Sequence, residues 1–112
     1  MADGYSFNVS LQPEEVLIMV KEGMPVSSEL LYEEHNELGD GYSIGTMIYE
    51  RYFFRSGNQA ALVIIFDNLQ GVTNVRLIAA GASKGIVMKL DWGAGQSFAS
   101  SVEKLLSDYI LE

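Results

Sequence analysis

The only histidine of the chain stands in Glu33-Glu34-His35-Asn36-Glu37, a run that sets one nitrogen ligand among three carboxylates. On an extended strand Glu33, His35 and Glu37 would share a face at a spacing of two, which could suit a metal ion or an acid/base pair. Zinc and non-haem iron sites draw on paired ligands beyond a single imidazole, however, and this run offers only one. A charged strand near a sheet edge, where such residues discourage edge-to-edge pairing, explains the same pattern. Gly81-Ala82-Ser83-Lys84-Gly85 has the ingredients of a phosphate loop without its spacing. The Walker pattern needs Gly-Lys followed by Ser or Thr and opening into a helix, whereas here Lys84 precedes Gly85 and a β-like run. Ser83 and Ser97 would depend on His35 alone for a base, so no Ser-His-Asp arrangement is read. Asp91-Trp92-Gly93 could line a pocket, but a buried Trp92 ring and an Asp91 that fixes a turn through backbone hydrogen bonds account for it structurally. Arg51, Arg55 and Arg76 could meet on neighbouring strands to receive an anion, or pair with the acidic segment 29–40. No catalytic residue, metal or cofactor follows from any of these groups.

The elements that would position them are legible from periodicity and punctuation. Phe7, Val9 and Leu11 alternate with Asn8 and Ser10, the period of a half-buried strand. Gln12-Pro13-Glu14-Glu15 then opens a helix, with proline in the first turn and acids on the positive end of the dipole. Val16, Met19, Val20 and Gly23 follow at helical spacing, and Gly23 with Pro25 ends the element. Gly39-Asp40-Gly41, Ser56-Gly57-Asn58 and the Asp67–Gly71 turn separate runs rich in β-branched and aromatic residues. They define strands near 28–38, 42–55, 59–67 and 72–80, a meander whose short connections make it antiparallel. The run 86–91 is either a further short strand or a bulged extension of the last. Beyond Gly95, Phe98, Val102, Leu105, Leu106, Tyr109 and Ile110 fall on one stripe of a closing helix. The expected fold is α+β: strand, helix, four-stranded antiparallel meander, helix, with both helices packed on one face of the sheet.

At 112 residues the chain reads as a single domain, 1–112, large enough to bury a core without disulfides or metal. It has no cysteine, which excludes a disulfide framework and a thiolate site and agrees with a cytoplasmic location. The formal charge of −8 is uneven: residues 1–50 carry ten acids and one base, residues 51–112 five acids and six bases. That field argues against nucleic acid as a partner. The longest apolar run, Ala60–Phe66, is far shorter than the ~20 residues that a membrane-spanning helix needs, so no membrane partner is expected.

The middle strands carry more apolar residues than one buried face requires. Ala60, Leu62, Ile64 and Phe66 form one side of their strand and Ala61, Val63 and Ile65 the other, so neither side looks wetted. The preceding strand behaves likewise, with Ile44, Ile48 and Tyr52 on one side and Met47, Tyr49 and Phe53 on the other. Two helices on one face leave the second face uncovered, and such a patch usually marks an interface or a ligand groove. The first expectation is an interaction or assembly module that homodimerises sheet against sheet through Met47, Tyr49, Phe53, Ala61, Val63 and Ile65. The alternative is a binder of a small apolar or amphipathic ligand held between the sheet and the closing helix by Tyr49, Arg51, Tyr52 and Trp92. A third possibility is that the 81–95 segment folds over part of the open face.

The element order is similar to that of the TATA-binding-protein-like and helix-grip folds, in which a curved sheet wraps a long C-terminal helix. That likeness implies topology and no function. Through Arg55-Ser56-Gly57-Asn58-Gln59-Ala60, Asp91-Trp92-Gly93-Ala94 and its layout over nearly its whole length, the chain also resembles a small bacterial family of uncharacterised proteins, a domain of unknown function. The resemblance implies no activity and no site residues.

Overall fold

Residues with positive φ close the turns that cut this chain into strands. Gly39, Asp40 and Gly41 have φ of 94°, 56° and 84°, the left-handed conformations that a tight hairpin turn demands and that glycine adopts without steric cost. Gly71, at 90°, performs the same service between the fourth and fifth strands. The computed structural model describes residues 5–53, 58–81 and 93–111. The 54–57 turn, the 82–92 segment with Trp92, and the question of a strand at 86–91 lie outside the described residues.

The chain runs β1 (Tyr5–Val9), α1 (Pro13–Gly23), β2 (Ser28–Gly39), β3 (Tyr42–Phe53), β4 (Asn58–Asp67), β5 (Thr73–Gly81), α2 (Gly93–Leu105), a 3-10 turn (Ser107–Tyr109) and β6 (Ile110–Leu111). The fold is therefore α+β, as its periodicities predict. All strand pairs are antiparallel, in the order β2-β3-β4-β5-β1-β6. One feature departs from expectation. The closing helix ends at Leu105, and Tyr109 and Ile110 leave the helical stripe on which their spacing placed them. The edge of β1 takes up the released chain: Val9 pairs with Ile110, Asn8 with Leu111, and Ser10 N donates to Tyr109 O at 2.9 Å. Backbone groups that would otherwise need water are satisfied in this way.

Register decides which side chains are buried. Met47 opposes Ile64, which opposes Leu77; Tyr49 opposes Leu62, which opposes Ala79. These residues share the face that receives Val16 and Val20 of α1, Ala99 and Val102 of α2, and Leu106, and together they form the core. Phe66, Val75 and Val9 complete it. α1 begins at Pro13, and the Glu15 Oε1 accepts from Gln12 N at 2.8 Å, which satisfies one of the donors left free at a helix start. The two helices meet where Gly23 lies against the Leu105 side chain. Tyr5 Oη donates to Glu103 Oε2 at 2.8 Å, tying β1 to α2 and holding the Tyr5 hydroxyl above its ordinary pKa. Among the described residues no helix is long and apolar enough to cross a membrane.

β2 is the long outer strand. Its pairing with β3 is interrupted between Leu30 and Tyr32 and again between Glu37 and Gly39. The residues at the two bulges, Leu31 and Leu38, are both largely exposed. The first bulge also reverses the strand's faces. Leu30 packs against the core, and beyond it Glu33, His35 and Glu37 take the helix-side positions opposite Met47, Gly45 and Ser43.

Candidate binding face

The face of the sheet turned away from the helices is built by the opposite set of alternating residues. Ile48 of β3 opposes Val63 of β4, which opposes Ile78 of β5; Thr46, Ile65 and Arg76 form the neighbouring row, and Glu50, Ala61 and Ala80 the row beyond. The apolar members, Ile48, Ala61, Val63, Ile65, Ile78 and Ala80, are each half-buried. Tyr32 on the β2 side and Tyr52 at the far end of β3 are exposed at 47% and 52%. The outer margin is acidic. There Glu34 accepts from Asn36 Nδ2 at 3.1 Å and from Tyr32 Oη at 3.0 Å, bonds that hold its carboxyl below the usual range and raise the tyrosine above its own.

One corner of this face is polar and organised. Asp67 is only 5% exposed, and its Oδ2 accepts from Arg76 Nη2 at 2.7 Å while its Oδ1 accepts from Leu69 N at 3.1 Å. Arg76 Nη1 donates to Asn74 Oδ1 at 3.1 Å, and Asn74 Nδ2 donates to Asn8 Oδ1 at 2.9 Å. Four side chains from β1, β4 and β5 thus form one network. They border a cleft of about 590 Å³ whose apolar wall includes Ile44, Leu69 and Val72.

The predicted interface residues divide between the two faces. Ala61, Val63 and Ile65 lie on the face away from the helices, whereas Met47 and Tyr49 are 0% and 3% exposed in the core and cannot contact a partner there. The set divides because Met47 pairs with Ile64 and not with Val63. Phe53 ends β3, and its side chain lies outside the described residues.

The described residues of the predicted ligand site also divide between the two faces. Burial lifts the Tyr49 hydroxyl's pKa, and Arg51 sits on the same helix side, its Nε donating to Ser28 Oγ at 3.1 Å and its Nη2 to Ser101 Oγ at 3.4 Å. Partial burial lowers the Arg51 pKa from its ordinary value. Tyr52 belongs to the opposite set of the strand, and Trp92 lies outside the described residues. Arg51 and Arg76 also occupy opposite faces, so they do not form a joint anion site.

The histidine run occupies the projecting β2–β3 hairpin. Glu33 Oε1 lies 2.9 Å from Lys21 Nζ on α1. His35 Nε2 is buried without a hydrogen-bond partner among the described residues, and His35 borders a cleft of about 320 Å³ with Glu14, Glu37 and Asp40. Among the described residues no three His, Cys, Asp or Glu side chains converge as metal ligands.

No curated protein and no solved structure matches the chain. The model of a family of unknown function, DUF6054, matches residues 1–110, and with nearly its whole length covered the chain belongs to that family.

Proposed function

We propose that this protein is a non-catalytic assembly module that forms a twofold dimer through the sheet face away from the helices. The carrying observation is the uncharged apolar centre of that face, Ile48, Val63, Ile65 and Ile78 flanked by Ala61 and Ala80, which neither described helix packs against. A twofold axis running along β4 lays Val63 and Ile65 on their own copies and Ile48 on the partner's Ile78. It also sets the acidic β2 margin of one subunit over the β5 and β1 side of the other, where Arg76 and Ser6 stand, instead of over its own likeness. Three strands spaced ~4.8 Å apart, with three same-face rows ~6.8 Å apart, make a patch of ~300 Å² per subunit. That is below the standard size of a specific interface, so the dimer is weak and depends on concentration. The order strand, helix, four strands, helix supports the likeness to TATA-binding-protein-like and helix-grip folds without bearing on this role.

Light scattering after size exclusion, at a series of loading concentrations, tests the reading. Wild type should move from monomer to dimer mass as concentration rises, and Val63→Asp should remain a folded monomer throughout, with an unchanged circular-dichroism spectrum. An unchanged association state for a folded Val63→Asp protein would rule the face out.

A further inference from the structure

We propose that the cleft beside Arg76 is a binding site for a small carboxylate with a short apolar tail. The site adjoins the proposed dimer face: Arg76 continues the Thr46–Ile65 row, and the rest of the cleft lies at the end of the sheet formed by the β4–β5 turn. The argument begins with Asp67. A carboxylate that is 5% exposed and ion-paired with an arginine is a poor way to stabilise a small domain, because removing two charges from water offsets their attraction. The pair does hold the guanidinium in one orientation. Asp67 takes one Nη2 hydrogen and Asn74 one Nη1 hydrogen, and the Arg76 side chain remains 40% exposed.

Five N–H groups in a planar fork leave three beyond those two bonds, enough to bind a second planar acceptor such as a carboxylate. Asn8 adds to them. Its Oδ1 is occupied by Asn74, and among the described residues no bond engages its Nδ2 donors. The free polar hydrogens bordering the cleft therefore ask for an acceptor. The Asp67 side chain also borders the cleft, but it is only 7% exposed and its two oxygens already accept from Arg76 Nη2 and Leu69 N. Ile44, Leu69 and Val72 supply an apolar wall for a tail, and about 590 Å³ is within the range of small-molecule sites.

Calorimetric titration of the full chain with sodium hexanoate tests the site, with hexan-1-ol as the uncharged comparison. Saturable binding of hexanoate is expected, with hexanol at least tenfold weaker. Arg76→Gln should weaken hexanoate at least tenfold. Because that change leaves Asp67 without its partner and can unfold the chain, Leu69→Asp, at a half-exposed turn position, is the second variant and should produce a similar loss in a folded protein. Repeating the titration on monomeric Val63→Asp separates this site from the dimer, since binding there should persist. Heats that do not saturate, equal binding of hexanol, or a folded Leu69→Asp protein that binds hexanoate as wild type does would each overturn the assignment.

Discussion

Gly45 is the point at which β3 makes room for Phe66, the largest fully buried side chain. A Cβ built there would overlap the ring of Phe66, which belongs to the paired strand and is fully buried. The adjacent row on that face holds Met47 and Ile64, both fully buried, so the ring has little room to retreat without displacing another core residue. Gly45→Ala should therefore cost about 2 kcal/mol, as overpacking does, read as a lowered urea midpoint with an unchanged slope. Phe66→Leu in the same chain should recover part of that loss, because the smaller side chain vacates the space the methyl needs. Nothing local announces this requirement: Gly45 lies inside a β-branched and aromatic run, and its need arises only from a strand-to-strand pairing. The Asp67, Asn74, Arg76 and Asn8 network was hidden for the same reason. Its members come from three strands, and only register brings them together. Arg76 was recognisable as a possible anion receptor. Its supposed companion Arg51 is turned to the other face of the sheet.

The hairpin between β2 and β3 shows what was legible at the scale of elements. Gly39-Asp40-Gly41 marked a tight turn, and the backbone adopts the left-handed conformations that those residues favour. A side chain at Gly41 would meet no neighbour, so substitution acts through the backbone alone. Gly41→Ala should then lower stability by about 1 kcal/mol in urea unfolding, with no change in the core spectrum, whereas a larger loss would mean that the turn is packed. Strand boundaries, the first helix and the placement of both helices on one face followed from similar local signals. Two things did not. The relative phase of β3 and β4 was undetermined because both sides of β4 are apolar, so each strand's alternation was clear while the match between them was open. Met47 and Tyr49 were consequently grouped with Val63 and Ile65, from which register separates them. The end of α2 was overextended because Tyr109 and Ile110 continue the helical stripe, and nothing local announces that the free edge of β1 will pair with the last residues. Local periodicity fixes an element's faces; competition for backbone partners fixes where it stops.

For the whole molecule the dominant fact is a net charge of −8 on a body measuring 45 × 28 × 25 Å. Two copies stacked sheet against sheet bring their charge centres to roughly the thickness of one subunit, 25 Å. Coulomb's law in water gives a repulsion of about 10 kcal/mol between two such charges before screening. The Debye length is ~30 Å at 0.01 M salt and ~8 Å at 0.15 M, so screening leaves about half of that repulsion at the lower salt and only a few per cent at the higher. Apolar burial at the face does not weaken over that range. The dimer should therefore tighten as salt rises, by at least tenfold in dissociation constant between about 0.01 M and about 0.15 M, as followed by sedimentation equilibrium. The sign is the informative part. An interface held by Arg76 against acidic residues of the partner would loosen over the same interval, because salt would screen the attraction that forms it. Tightening with salt in wild type, together with monomeric Val63→Asp at both salts, places the binding energy in the apolar centre of the sheet and leaves the net charge of −8 on each subunit as what limits association.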